Sequence, residues 1–266
     1  VAPPESSLDI TDRDSVMRAV EAYEPAIVVN TAAYTAVDAA ETDEAEATRI
    51  NDTAVGVLAD AAGEAGALLV HVSTDFVFDG SAGRPYDEDD EPRPVSVYGR
   101  TKLAGELRAL GAARSVVLRT SWLYSAHGTN FVRTMRRLAG ERDRIRVVAD
   151  QRGCPTAAAD LARTIIGLLD SEREPRGLNP AAAPDDATWW DLARESIDAM
   201  SPPADAVIER LSTAEYPTAA RRPADSRLSS ARLARDFGLQ LRPWRDALAD
   251  VSAELNAAAL PLGADR

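Results

Sequence analysis

Short apolar runs alternate with longer stretches of helical periodicity along the first two-thirds of this chain. That alternation confines it to βαβ units around a parallel sheet. Ala26-Ile27-Val28-Val29-Asn30 and Leu68-Leu69-Val70-His71-Val72 read as strands buried on both faces, the second ending in Ser73-Thr74-Asp75. Thr11 or Asp12 is placed to cap a helix running to about Tyr23, and the alanine-rich stretch from about Asp43 to Ala65 reads as one helix ended by Gly66. Asp79 to Pro94, rich in Gly, Pro and acids, reads as a surface loop. Helix resumes near Val95, and strands at Ser115–Arg119 and Ile145–Val148 flank a helix from roughly Asn130 to Ala139. A further helix spans about Ala157 to Leu169. Beyond Asp170 the alternation weakens. Helices are expected from Thr188 to Met200, from Ser229 to Phe237 and from Pro243 onwards, with an extended piece near Ala206–Leu211 and a frayed tail from Ala257. The expected fold class is α/β, a doubly wound parallel sheet with a smaller C-terminal α/β part. Residues 1–150 would form the dinucleotide-binding domain, and 151–266 mainly a substrate-binding cap interleaved with the end of the sheet.

One element of that architecture is missing from the sequence. A dinucleotide-binding sheet opens with a strand, a Gly-rich turn and a helix N-terminus that holds the pyrophosphate. Neither G-x-G-x-x-G nor G-x-x-G-x-x-G occurs here. The chain reads as beginning near the end of the second strand, at Leu8-Asp9-Ile10, with the first βαβ unit expected to be absent. Without that turn, cofactor binding is expected to be weak or lost.

Composition narrows the partners. A net charge of −13 argues against nucleic acid and anionic membranes. Aromatic residues make up only 5% of the chain, so Ala, Val and Leu must do most of the packing. The acidic excess and the replacement of lysine by arginine suit either a salt-tolerant surface or a codon bias. Cys154 is the only cysteine, which excludes an internal disulfide and favours a reducing cytoplasm. No apolar run approaches the roughly 18–20 residues that span a bilayer, and Val1-Ala2-Pro3-Pro4-Glu5 is no signal peptide.

Lys102 is the only lysine among 30 Lys and Arg residues, and it stands four places after Tyr98. On a helix those two positions share a face, one turn apart, where an ammonium can lower a phenol's pKa. Ketone reduction needs a proton for the alkoxide formed as hydride arrives, and a hydroxyl to hold the carbonyl oxygen. Thr74, at the C-terminal end of a strand, Tyr98 and Lys102 supply those roles. A bare Tyr-x-x-x-Lys is weak evidence; its position after a strand-terminal Ser-Thr-Asp strengthens it.

Several longer stretches agree with this reading. They include Val28-Val29-Asn30-Thr31-Ala32-Ala33-Tyr34-Thr35-Ala36-Val37-Asp38, Ser73-Thr74-Asp75-Phe76-Val77-Phe78-Asp79-Gly80 and Tyr98-Gly99-Arg100-Thr101-Lys102-Leu103-Ala104-Gly105-Glu106. Further on come Arg119-Thr120-Ser121-Trp122-Leu123-Tyr124, Asp150-Gln151-Arg152-Gly153-Cys154-Pro155-Thr156 and Arg221-Arg222-Pro223-Ala224-Asp225-Ser226-Arg227-Leu228. In these stretches the chain resembles the extended short-chain dehydrogenase/reductase family, and within it the dTDP-4-dehydrorhamnose reductases, in family order over nearly its whole length. The resemblance implies a Rossmann-like fold and NAD(P)H-dependent reduction of the C4 keto group of dTDP-4-dehydro-L-rhamnose to dTDP-L-rhamnose. Tyr98 would be the general acid, Lys102 would hold the nicotinamide ribose and depress the Tyr98 pKa, and Thr74 would orient. Ala33, Tyr34 and Thr35 would run along the cofactor (NADPH or NADH), Asp9 and Ile10 would contact its adenine, and Asp75 and Trp122 would face the nucleotide sugar. A homodimer is compatible with the resemblance; Mg2+ finds no support in the sequence.

Two other functions fit the same resemblance. A nucleotide-sugar dehydratase or epimerase shares the fold, but a dehydratase would want Glu directly after Thr74-Asp75, where Phe76 stands. A regulatory subunit resembling the methionine adenosyltransferase beta subunit is disfavoured by the intact Tyr98 and Lys102. The remaining conspicuous residues have plainer readings. His71 is a core histidine, and Cys154 a packing residue. The acidic run Asp87–Glu91 is a solvated loop, lacking the spacing of a calcium loop. With His127 as the only other histidine, a His-rich metal site is excluded. Asp75 alternatively closes its own loop, and Trp189-Trp190 opens a helix for packing.

Overall fold

The computed structural model describes residues 1–3 and 7–259. Helix α1 (Arg13–Tyr23) leads into strand β1 (Ile27–Asn30). Two short helices, α2 (Val37–Ala40) and α3 (Glu44–Thr48), then pass through a π-helical turn at Arg49–Thr53 into α4 (Ala54–Glu64). Strand β2 (Leu68–Thr74), a 3-10 turn at Asp75–Val77, α5 (Val97–Leu110), β3 (Ser115–Thr120) and β4 (Leu123–Tyr124) follow. Next come α6 (Phe131–Glu141), β5 (Arg144–Val148), β6 (Arg152–Gly153), β7 (Thr156–Ala157), α7 (Ala158–Leu169), β8 (Gly177–Pro180) and β9 (Ala187–Thr188). The chain continues through α8 (Trp189–Asp198), β10 (Val207–Leu211), α9 (Ala231–Phe237) and α10 (Trp244–Ala259).

The main sheet is parallel, in the order β1-β2-β3-β8. Val117, Leu69, Val55, Ala59 and Ala109 form a core on one face, and Val116, Leu118, Leu161, Leu168 and Leu233 one on the other. Helices from both faces therefore bury the sheet, and the expected doubly wound α/β class is what the structure has. Register aligns the strand ends: Asn30 lies opposite His71 and Thr74 opposite Thr120, so the loops leaving β1, β2 and β3 share one edge. The C-terminal half adds β8 to this sheet. It also builds its own core around Trp244, Tyr124 and Leu192, and pairs β10 with β5 in parallel.

Local sequence explains the helix starts. Asp12, Ser96 and Asn130 accept a backbone N–H of the first turn of α1, α5 and α6, and Thr188 with Asp191 forms a capping box on α8. Pro243 precedes α10, which runs through Ala259, so 257–259 are helical where a frayed tail is expected; the rest of that expected tail lies outside the described residues.

Two expectations need correction. Strand β1 is not buried on both faces: it is the sheet's edge, with Ile27 38% and Val29 44% exposed. The stretch Asp43–Ala65 is not one α-helix. Its axis is interrupted at Arg49–Thr53, where a Cβ on Gly105 of α5 would stand 2.0 Å from the Asn51 carbonyl oxygen. The two backbones meet there at a distance only glycine permits, and the widened π turn presents that carbonyl. Among the described residues no helix is long and apolar enough to cross a membrane.

A buried ion pair ties α5 to β3. Arg119 Nη2 lies 2.7 Å from Glu106 Oε2 and Nε 2.9 Å from Oε1, with the side chains 3% and 1% exposed. The guanidinium also stacks over Phe78, 4.9 Å from the ring centroid. Because burial leaves a lone partner uncompensated, Glu106→Gln is expected to lower unfolding free energy by about 3–5 kcal/mol. Urea denaturation measures this; a loss near zero would show that the pair is not what fixes the helix.

Candidate active site

Three elements converge beyond the C-terminal edge of the sheet. Thr74 ends β2, where its Oγ1 accepts the Phe76 N–H at 3.2 Å and donates to Asp75 Oδ1 at 3.2 Å. Tyr98 lies in the first turn of α5, half-buried, its ring edge-on to Phe76 at 5.6 Å and packed in a cluster with Tyr34, Ala40, Ala47 and Val97. Gly99 allows this: a Cβ there would stand 2.2 Å from the Phe76 carbonyl oxygen, so the helix rests on the loop leaving β2. One turn on, Lys102 is 2% exposed, and its Nζ donates to Val72 O at 2.8 Å and lies 3.5 Å from His71 Nε2.

Burial dominates the electrostatics here. It pushes the Tyr98 phenol up to about 12, opposed by a hydrogen bond from Thr74. Burial also lowers Lys102 itself to about 8, against an upward pull from Glu106. A phenol held this high keeps its proton at neutral pH, which suits an acid rather than a base.

The loop after β1 reaches the same edge. Asn51, on the π-helical turn, clamps it by accepting the Tyr34 N–H at 2.9 Å and donating Nδ2–H to Tyr34 O at 3.1 Å and to Thr101 Oγ1 at 3.1 Å. Ala33 is half-buried and Thr35 exposed along this loop. Nothing in the sequence around Asn51 marks a π turn, and its partners are distant along the chain, so this clamp is visible only in the fold. Asp9 and Ile10 lie elsewhere, on the flank of α1 and α4. Asp9 accepts from Thr11 N at 2.8 Å and Oγ1 at 2.7 Å, and Ile10 packs against the cluster of Val16, Leu58 and Ala61.

The C-terminal part meets the site through Asp75 and Trp122. The Asp75 carboxyl is 2% exposed and accepts the Ser226 hydroxyl at 2.5 Å, so it joins the two halves of the chain instead of lying open to a ligand. Ser226 sits in the quoted Arg221–Leu228 motif, yet its role was not visible before its partner was placed. Trp122 is half-buried with φ +49°, a conformation rare outside glycine, and stacks on Trp189 at 3.6 Å between centroids. Arg222 reaches back to Asp38 at 2.8 Å, a second tie between the halves.

For the nicotinamide half of a dinucleotide the donor set fits: a buried ammonium whose N–H groups are not all spent on Val72, beside a loop of small residues held rigid by Asn51. Among the described residues no group of three or more His, Cys, Asp or Glu side chains is arranged for a metal.

This fold and donor set are those of the short-chain dehydrogenase/reductase class. The chain belongs to the RmlD substrate binding domain family, whose model matches residues 1–257. It is 41% identical to a dTDP-4-dehydrorhamnose reductase of Escherichia coli (strain K12), covering 89% of this chain and 82% of that protein. It is 45% identical to a probable dTDP-4,6-dihydroxy-2-methyloxan-3-one 4-ketoreductase of Streptomyces antibioticus, covering 96% and 86%. A solved dTDP-4-dehydrorhamnose reductase from Bacillus anthracis str. Ames, in complex with NADP, superposes with a TM-score of 0.90 at 35% identity, covering 95% of this chain and 89% of that one.

Burial raises the Asp75 carboxyl to about 7, against the Ser226 and Thr74 hydrogen bonds, from 3.8 when unfolded. The native state thus holds this proton more tightly. Its stabilising contribution is complete below about pH 4 and is lost as pH rises through about 7. Asp75→Asn, which cannot ionise, is expected to show a flatter fall in melting temperature between those limits. Parallel pH dependences in the two proteins would contradict this.

Proposed function

We propose that this chain reduces the C4 keto group of dTDP-4-dehydro-L-rhamnose to dTDP-L-rhamnose with NADPH or NADH. The observation that carries this reading is the convergence of the Thr74 hydroxyl, the Tyr98 phenol and the buried Lys102 ammonium at the sheet's C-terminal edge. Family membership and relatives bearing that activity, one of which is covered over 82% of its length, support it. In this reading residues 1–150 hold the cofactor and 151–266 mainly the sugar nucleotide. Ala33, Tyr34 and Thr35 line the cofactor's path, Asp9 and Ile10 flank its adenine end, and Trp122 faces the sugar. Asp75 acts from behind, through Thr74 and Ser226. The nucleotide sugar is the partner, a homodimer the assembly, and the cytoplasm, suggested by the single cysteine, the compartment.

The nicotinamide, when bound, supplies the hydride for C4. Tyr98 gives its phenolic proton to the O4 alkoxide as that charge develops. Its high pKa means it arrives protonated. Thr74 steadies the phenolate left behind by turning its one hydroxyl proton from Asp75 to that oxygen. Lys102 holds the ribose hydroxyls and keeps positive charge beneath the site. Family membership does not separate this sugar from the six-membered 4-ketone named for the Streptomyces relative, whose higher identity favours it as a second reading.

Following NADPH and NADH loss with each 4-keto sugar nucleotide decides between them. Tyr98→Phe is expected to lower kcat by about 10²–10⁴-fold with little change in KM. A variant turning over at the parent rate would remove Tyr98 from the mechanism.

A further inference from the structure

We infer that His71, locked in one tautomer by Asn30, is a positioning residue for Lys102: its Nε2–H faces the lysine nitrogen and favours the neutral amine over the ammonium.

The chain of hydrogen bonds starts from a donor that has no choice. The Ala32 backbone N–H can only donate, and it points at the Asn30 side-chain oxygen at 3.1 Å. That fixes the Asn30 amide, so its Nδ2–H₂ must be the group 3.0 Å from His71 Nδ1. A donor facing Nδ1 makes that nitrogen the acceptor. His71 is fully buried, and burial, with the nearby Lys102 charge, holds its pKa down to about 3. The ring is therefore neutral and carries its one proton on Nε2. That N–H lies 3.5 Å from Lys102 Nζ, whose other contact is donation to Val72 O at 2.8 Å. An ammonium here meets another donor head-on; a neutral amine turns its lone pair to accept the bond. Register explains how the sequence builds this, since Asn30 and His71 are direct neighbours across β1 and β2.

The other charged groups around Lys102 do not produce the effect. Glu106, one turn along α5, pulls the lysine the opposite way and is itself paired with Arg119 of β3. Glu44 on α3 and Asp52 on the π-helical turn are paired with Arg100 and Arg108, away from Nζ. On the turn after β2, Asp75 is bonded to Ser226 and Thr74. His71 is the polar side chain that faces the nitrogen from the sheet. The consequence, which rests on Lys102 being the site's cation as proposed above, is a lysine able to release its proton within the working pH range.

The composition makes this directly measurable. Protein labelled with 13Cε-lysine gives one lysine signal, from Lys102, and 15N-histidine labelling gives only His71 and His127. Both are followed by NMR as a function of pH on the whole protein without cofactor or sugar. His71 is expected to show the Nε2–H pattern from pH 5 to 9 and to shift only as Lys102 titrates, near 8. His71→Phe keeps the ring and removes the facing N–H, so the Lys102 midpoint is expected to rise by roughly half to one pH unit. Asn30→Asp offers His71 Nδ1 an acceptor, which is expected to move the proton to Nδ1 and raise the Lys102 midpoint. A wild-type Nδ1–H tautomer, or a Lys102 midpoint unmoved in both variants, overturns the inference. Because these signals need no turnover, failure of the reductase assay and failure of this inference are separate outcomes.

Discussion

Helix α5 lies closer to its neighbours than side chains allow, and the site depends on that closeness. Gly99 and Gly105 are the two contact points: the first meets the backbone carbonyl of the turn after β2, the second that of Asn51. Lys102 lies between them and Tyr98 directly before the first, both carried to the strand ends by the helix's approach. Any Cβ at either position would push the helix away, and with it the phenol and the ammonium. The cost of such intimacy is a face of α5 that is polar yet buried, with Thr101, Lys102 and Glu106 all inside. Each has a local partner: Thr101 is bonded by Asn51, Glu106 by Arg119, and Lys102 donates to Val72.

The strands contribute alignment rather than chemistry. With Thr74 opposite Thr120, the loops after β2 and β3 begin at one level, and β1, whose Asn30 lies opposite His71, ends three residues earlier at the same edge. The C-terminal half closes over that edge through a few polar ties of long sequence separation, Ser226 to Asp75 and Arg222 to Asp38. Such ties hold the cap in register with the sheet, and they are also where pH is felt, because the Asp75 carboxyl must be dehydrated to make its bond.

Much of this was legible in the sequence. The alternation of apolar runs and helical stretches fixes the parallel sheet, and the pattern sets Thr74 at a strand end and Tyr98 and Lys102 on one helix. What stayed hidden has physical reasons. A π turn keeps helical composition and shifts only the hydrogen-bond step, so Arg49–Thr53 looked like the rest of its helix. An apolar run reads the same whether one face or both are covered, so the exposure of Ile27 and Val29 could not be foreseen. The apolar run around His71 predicts its burial, but its partners Asn30 and Lys102 are 41 and 31 residues away. Burial follows from local pattern; partnership across a fold does not.

The lone lysine has one more implication. With Lys102 only 2% exposed, the folded surface presents no lysine amine, and its positive charge is carried by guanidinium groups. Among the side chains, amine-acylating reagents therefore find no target until α5 lifts from the sheet. Modification of that one buried side chain thus becomes a clock for how often the structure breathes at the place where its chemistry is assembled.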